Sequence, residues 1–288
     1  MPTSMQAQVT VGGKVASVDG TALKADLTLI RGGSAVEIQS YHTDSQGAFS
    51  IETNRTTDQL LVAKANGYVS SEVALNTTGT VARLNVNFRL RPAGKVSGRV
   101  VDENGNGIGG ATVHVRYPGE LRRHHFHHEV GDIHADDFGY FILPVVARGK
   151  SFVVEAATAE RLPVSTASLT LDGEEASGVQ VTAGRIGFVV RGAVRDSAAN
   201  PHAGASVRRR LFPGSKTTTA ARVSRLHARL LNQRTTTGPA GAYEFKGLPA
   251  GRAVVIAYVS GKTPVKQEQV LPEQGAPGSV RVINLIVD

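Results

Sequence analysis

Val96-Ser97-Gly98-Arg99-Val100-Val101 runs into Asp102-Glu103-Asn104-Gly105-Asn106-Gly107, and Ala111-Thr112-Val113-His114-Val115-Arg116-Tyr117 follows. In the last segment Ala111, Val113, Val115 and Tyr117 alternate with Thr112, His114 and Arg116, and a period of two marks a strand buried on one face. The pattern of strand, polar turn and strand recurs on either side. Upstream it reads Val9-Thr10-Val11-Gly12-Gly13-Lys14-Val15, a turn at Asp19-Gly20 and a second strand over 25–30. Downstream it reads Val190-Arg191-Gly192-Ala193-Val194-Arg195-Asp196, a turn reaching Asn200-Pro201 and a second strand over 205–209. Internal repeats of this kind decide a fold before any single motif does.

A second signature follows in each copy: Thr43-Asp44-Ser45-Gln46-Gly47-Ala48-Phe49, Ala135-Asp136-Asp137-Phe138-Gly139-Tyr140-Phe141 and Thr237-Gly238-Pro239-Ala240-Gly241-Ala242-Tyr243. The glycine supplies the positive φ of a tight hairpin, and the aromatic after it opens a core strand. A further turn precedes another apolar strand, over 144–150 in the second copy and at Leu248-Pro249-Ala250-Gly251 in the third.

This combination of G-x-V, D-x-x-G, T-D-x-x-G-x-F and L-P-x-G resembles the carboxypeptidase regulatory-like, or transthyretin-like, domain family. The resemblance covers nearly the whole chain in three copies, and the first copy departs from it by lacking the L-P-x-G turn. It implies Greek-key sandwiches of about seven strands, used as non-catalytic spacers or binding modules in bacterial surface and secreted proteins. The expectation is an all-β chain of three tandem β-sandwiches of prealbumin or immunoglobulin-like type, over 1–91, 92–183 and 184–288. Arg91-Pro92-Ala93-Gly94 and Thr182-Ala183-Gly184-Arg185 read as the junctions. Linkers this short predict a semi-rigid rod.

Composition agrees. The 288 residues are 41% hydrophobic and 19% charged, enough apolar matter for packed cores. There is no cysteine, which excludes disulfides, thiolate zinc sites and a thiol nucleophile. No G-x-S-x-G, P-loop or H-E-x-x-H occurs, and the expectation is no enzyme. Gly105-Asn106-Gly107-Ile108-Gly109-Gly110 matches G-x-G-x-x-G, but a strand follows it where a pyrophosphate site needs a helix. The same turn begins like an EF-hand loop, yet Val113 stands where the bidentate Glu belongs. Asn54-Arg55-Thr56 and Asn76-Thr77-Thr78 fit the N-glycosylation pattern and matter only in a secreted protein of a glycosylating host. Met1-Pro2-Thr3-Ser4-Met5 does not open a signal peptide, and no apolar run has the length of a membrane span. The expected setting is the surface or exterior of a bacterium, with a cytoplasmically assembled machine as the alternative.

The copies differ in the connection after their second strand. From opening glycine to signature glycine the spans are 34, 41 and 49 residues. The second copy's insert holds His124, His125, His127, His128 and His134, whose imidazoles suit Zn or Cu, although no established metal spacing is present. No other cofactor is expected. The third insert is basic. Arg208, Arg209, Arg210, Lys216, Arg222, Arg225, Arg229 and Arg234 lie in an acid-free window between Asp196 and Glu244, and the rest of the chain balances 24 bases against 24 acids. Val223, Leu226 and Leu230 stand at helical spacing there, while flanking threonines favour a hairpin. Such a patch meets other protein subunits or an anionic polymer such as a glycan. Nucleic acid ranks low, because Phe212 is the insert's only aromatic. The functional expectation is a structural or interaction protein that contacts partners through the two inserts, with oligomers or filaments built by strand addition of residues 1–11. A ligand-binding module for anionic glycan or transition metal is the alternative.

Overall fold

The computed structural model describes residues 8–31, 36–54, 59–75, 83–118, 133–213, 232–272, 276 and 278–287. Among them the chain is all-β, with no helix. The first third forms β1 (Gln8–Ser17), β2 (Asp26–Arg31), β3 (Val36–His42), β4 (Ala48–Asn54), β5 (Gln59–Lys64), β6 (Tyr68–Val69), β7 (Ser71–Leu75) and β8 (Arg83–Asn85). The long β9 (Phe88–Val101) leads into β10 (Thr112–Arg116), β11 (Ile133–His134), β12 (Tyr140–Ala147), β13 (Ser151–Ala157), β14 (Val164–Ser165), β15 (Leu169–Thr170) and β16 (Glu175–Thr182). The last third holds β17 (Phe188–Arg195), β18 (Ser206–Pro213), β19 (Asn232–Thr236), β20 (Ala242–Leu248), β21 (Gly251–Tyr258), β22 (Val265–Leu271), β23 (Val280–Val282) and β24 (Leu285–Ile286).

One arrangement appears three times. The opening strand of each copy lies between an antiparallel and a parallel neighbour: β1 between β4 and β8, β9 between β12 and β16, β17 between β20 and β23. The opposing sheets are β3-β2-β5-β7, β11-β10-β13-β14 and β19-β18-β21-β22. Between the layers lie three separate apolar clusters, drawn from residues 9–90, 96–181 and 188–287. Valine, leucine and small alanines fill them, and each large side chain withdrawn from water contributes about 2 kcal/mol.

Two glycines per copy make this packing feasible. A Cβ on Gly13, Gly98 or Gly192 would stand 1.7, 2.0 or 1.7 Å from the carbonyl oxygen of Val86, Val179 or Ile283 on the parallel partner side. The signature glycines Gly47, Gly139 and Gly241 have φ of 70°, 84° and 69°, and a Cβ there would meet the carbonyl of Val15, Val100 or Val194. The aromatic that follows, Phe49, Phe141 or Tyr243, is buried in its core. The Tyr243 hydroxyl donates to the Ile283 carbonyl at 2.5 Å.

The first junction differs from the expected linker. Arg91-Pro92-Ala93-Gly94 lies inside β9, whose Phe88 and Leu90 enter the first core and whose Val96 and Val100 enter the second. Arg91 and Pro92 pair with β6, while Ala93 and Gly94 pair with β12. Pro92 has no N–H to donate, yet its carbonyl accepts from Arg148 N at 2.9 Å. The second expected junction does leave the strands after Thr182. There Gly187 N donates to the Glu160 carbonyl, Leu162 N donates to the Arg185 carbonyl, and Lys246 Nζ lies 2.9 Å from Glu160 Oε1. The turn expected over 144–150 is also partly strand. Pro144 sits at a register shift between Leu143 and Val146 in β12, where a missing donor is tolerated.

Candidate partner-binding face

Both inserts leave the same place in their copies, between the second and third strands, β10 to β11 and β18 to β19. Lys216, Arg222, Arg225 and Arg229, the spaced Val223, Leu226 and Leu230, and His124, His125, His127 and His128 lie outside the described residues, as do Thr56 and Asn76-Thr77-Thr78. Of the histidines expected as ligands, His134 is described, exposed on β11 opposite Thr112. Among the described residues no group of three or more His, Asp and Glu is placed to hold a metal. The turn that opens like an EF-hand loop turns its carboxylate inward: Asp102 Oδ1 accepts from Asn104 N and Asn106 N, and Oδ2 from Asn106 Nδ2.

The three consecutive arginines of β18 divide between two faces. Alternation buries Val207, Arg209 and Leu211 and turns Arg208 and Arg210 outward. Arg209 therefore does not belong to an exposed basic cluster. It stands opposite Val255 in the core layer, its guanidinium 5.7 Å from the Phe245 ring centroid. Burial pushes its pKa down to about 10. The equivalent core positions are Leu29, opposite Leu61, and Val115, opposite Val154.

The outward arginines belong to a face assembled across four strands. Arg208 lies directly opposite Arg234 on β19 and Ile256 on β21, and Ile256 lies opposite Lys266 on β22. Arg210 stands between Asn232 and Val254, and Val254 faces Glu268. At one end of the face Arg252 covers the Phe212 ring at 4.6 Å and meets Glu268 Oε2 at 3.0 Å. Tyr258, opposite Ser206, marks the other end. Phe212 and Tyr258 are 46% and 40% exposed, large aromatic surface for a strand face. The sequence reading missed Arg252, Lys266 and Tyr258, because they join the arginines only through pairing with distant strands. The alternation of Lys266 and Glu268 with Val265, Gln267 and Gln269 was the one local signal of which side they face.

The same face of the second copy is electrostatically closed. His114 and Arg116 occupy the positions of Arg208 and Arg210, and Glu155 occupies that of Ile256. The Glu155 carboxylate is 1% exposed and accepts from Arg116 Nε at 2.6 Å and Ser165 Oγ at 3.2 Å, with His114 Nε2 at 2.9 Å. Its burial is thus compensated by charge and hydrogen bonds together. The arrangement in the third copy offers guanidinium and ammonium donors to a ligand.

No family model matches the chain, and no curated protein sequence matches it. Among solved structures the chain is similar to the Bacillus anthracis TIE protein, at 13% identity over 98% of this chain and 51% of that one, with a TM-score of 0.28. It is also similar to a streptococcal ancillary pilin, at 14% identity over 96% and 99% of the two chains and a TM-score of 0.29. Chlorocatechol 1,2-dioxygenase from Pseudomonas putida aligns over 35% of this chain and 59% of its own, at 12% identity and a TM-score of 0.27. The chain spans about half the length of the TIE protein. At TM-scores this low the likenesses decide neither its chemistry nor its assembly. No helix among the described residues is long and apolar enough to cross a membrane.

Proposed function

We propose that the protein is a non-catalytic spacer or assembly subunit, a row of three β-sandwich domains over 1–91, 92–183 and 184–288 that contacts other subunits through its second and third domains. The observation that carries this reading is β9, one strand of 14 residues shared by two cores, since a shared strand resists bending as a flexible linker does not. The three separate clusters support the division into domains. The glycine and turn positions repeated in each copy support kinship with the carboxypeptidase regulatory-like family. On this reading the setting is the surface of a bacterium, as an appendage or surface component, with an injection machine assembled in the cytoplasm as the alternative.

The reading is tested by a paired pull-down from source-cell extract. One bait is the intact chain; the other has residues 214–231 replaced by a short Gly-Ser turn, with folding checked by circular dichroism. The expected result is a protein partner captured by the intact bait alone. Equal capture by both baits would move contact away from the third insert, and capture by neither would remove the assembly role. Light scattering of the intact chain reads self-association directly: growth with concentration supports filament or oligomer formation, and a constant monomer ends that version.

A further inference from the structure

We infer that the outer face of the β19-β18-β21-β22 sheet binds an acidic polysaccharide, one bearing carboxylate groups among neutral hydroxyls. The inference deepens the reading of the third domain as a contacting domain and rests on it.

In the second copy the two outward basic residues of the central strand have a buried carboxylate across the ladder, Glu155 beside His114 and Arg116. In the third copy both basic positions carry arginine, and the carboxylate position is Ile256. Neither Arg208 nor Arg210 makes an ion pair or side-chain hydrogen bond among the described residues. The fold does not require this face to be basic, for the first copy has Thr28 and Ile30 at the same two positions.

The charges are also crowded. Arg208 and Arg234 are direct cross-strand neighbours, a like-charge pair that costs stability in the free protein. Arg234 Nε is steadied by Ser206 Oγ at 2.7 Å, which orients the guanidinium without neutralising it. Lys266 continues the row across the sheet. With strands about 4.8 Å apart, the row from Arg234 to Lys266 spans about 14 Å, and Arg210 stands about 7 Å along the strand from Arg208. A bound polyanion supplies the missing counter-charge and removes the repulsion.

The rest of the face selects the kind of polyanion. Glu268, held by Arg252, accepts hydrogen bonds from hydroxyls, which a sugar ring supplies at every residue. Asn232, opposite Arg210, adds an amide that both donates and accepts. Tyr258 and Phe212 are separated by six residues along β18, about 20 Å, and flank the cations with surfaces on which sugar rings stack. The apolar residues at the centre, Ile256 and Val254, are flanked by Arg208, Arg210, Lys266 and Glu268, so charged and polar groups dominate the face.

The test uses the full chain and polygalacturonate, read by isothermal titration at low salt and at about 0.5 M salt. The wild type should bind, and binding should fall as salt rises. Ile256→Glu places in the third copy the carboxylate that the second copy already has, and should weaken binding about tenfold or more. Arg208→Gln/Arg210→Gln, whose fold is checked by circular dichroism, should do the same without adding a charge. Failure of the wild type to bind, unchanged binding by a folded Ile256→Glu protein, or equal binding to oligo(dT) or polyglutamate would each overturn the inference. Because Ile256→Glu leaves residues 214–231 intact and the pull-down variant leaves Ile256 intact, the polysaccharide and assembly readings fail independently.

Discussion

Glycine at 192 has a steric meaning that no propensity scale conveys. A Cβ there would stand 1.7 Å from the Ile283 carbonyl oxygen and 3.0 Å from the Tyr243 hydroxyl. Gly192→Ala must push β17 away from its parallel partner, and a loss of about 3 kcal/mol is expected, read as a lower chemical-denaturation midpoint. The turn aspartates make a second prediction. Hydrogen bonds from the Ser17 hydroxyl and then from Thr21 hold Asp19 at about 2, and the side chains of Asn106 and Asn200 lower Asp102 and Asp196. A carboxylate with a depressed folded pKa stabilises above its unfolded value of 3.8 and loses that contribution as pH falls through the folded value. The melting-temperature gap between wild type and Asp19→Asn should therefore stay constant from pH 5 to 8 and close between about pH 4 and 2. At this scale the sequence was informative wherever local chemistry decided the matter: the polar turns after the opening strands, the signature glycines and the aromatics after them stand where their motifs place them, whereas the turn expected over 144–150 begins as strand.

Among elements, β18 is the instructive case. Its alternation carries Arg209 into a core layer where the other copies have Leu29 and Val115. Burial disfavours the charged guanidinium, which titrates at about 10, so the residue enters the core charged at neutral pH. Arg209→Leu should raise stability by about 1 kcal/mol or more, measured by thermal unfolding of the full chain. A fall instead would mean that the guanidinium's own contacts outweigh its desolvation. Composition read the three arginines as one patch, because charge counting ignores pleat. The period of two was present in Val207 and Leu211, but a run of three identical residues hides it.

For the whole molecule the decisive element is β9. Sequence marked Arg91-Pro92-Ala93-Gly94 as a linker on turn-forming residues, and the fold uses the same residues inside one strand of a seven-stranded sheet, a strand that enters both the first and the second core. Inserting Gly-Gly-Ser-Gly between Arg91 and Pro92 should leave each core folded while widening the distance distribution from small-angle scattering; an unchanged profile would show that side-chain contacts alone set the junction. The repeat, the strands and the three apolar cores were determined by the sequence itself, since alternation, turn glycines and buried aromatics are local properties of the chain. Only the tertiary structure decided which arginine lies inside, that Glu155 closes one basic face and Ile256 leaves the other open, and that the first linker is a strand. The contrast between Glu155 and Ile256 depends on cross-strand register between residues some 40 to 50 positions apart, from Arg116 to Glu155 and from Arg208 to Ile256, and the linker becomes strand by pairing with β6 on one side and β12 on the other. Register is set when two sheets close on one core, and no window of local sequence contains it.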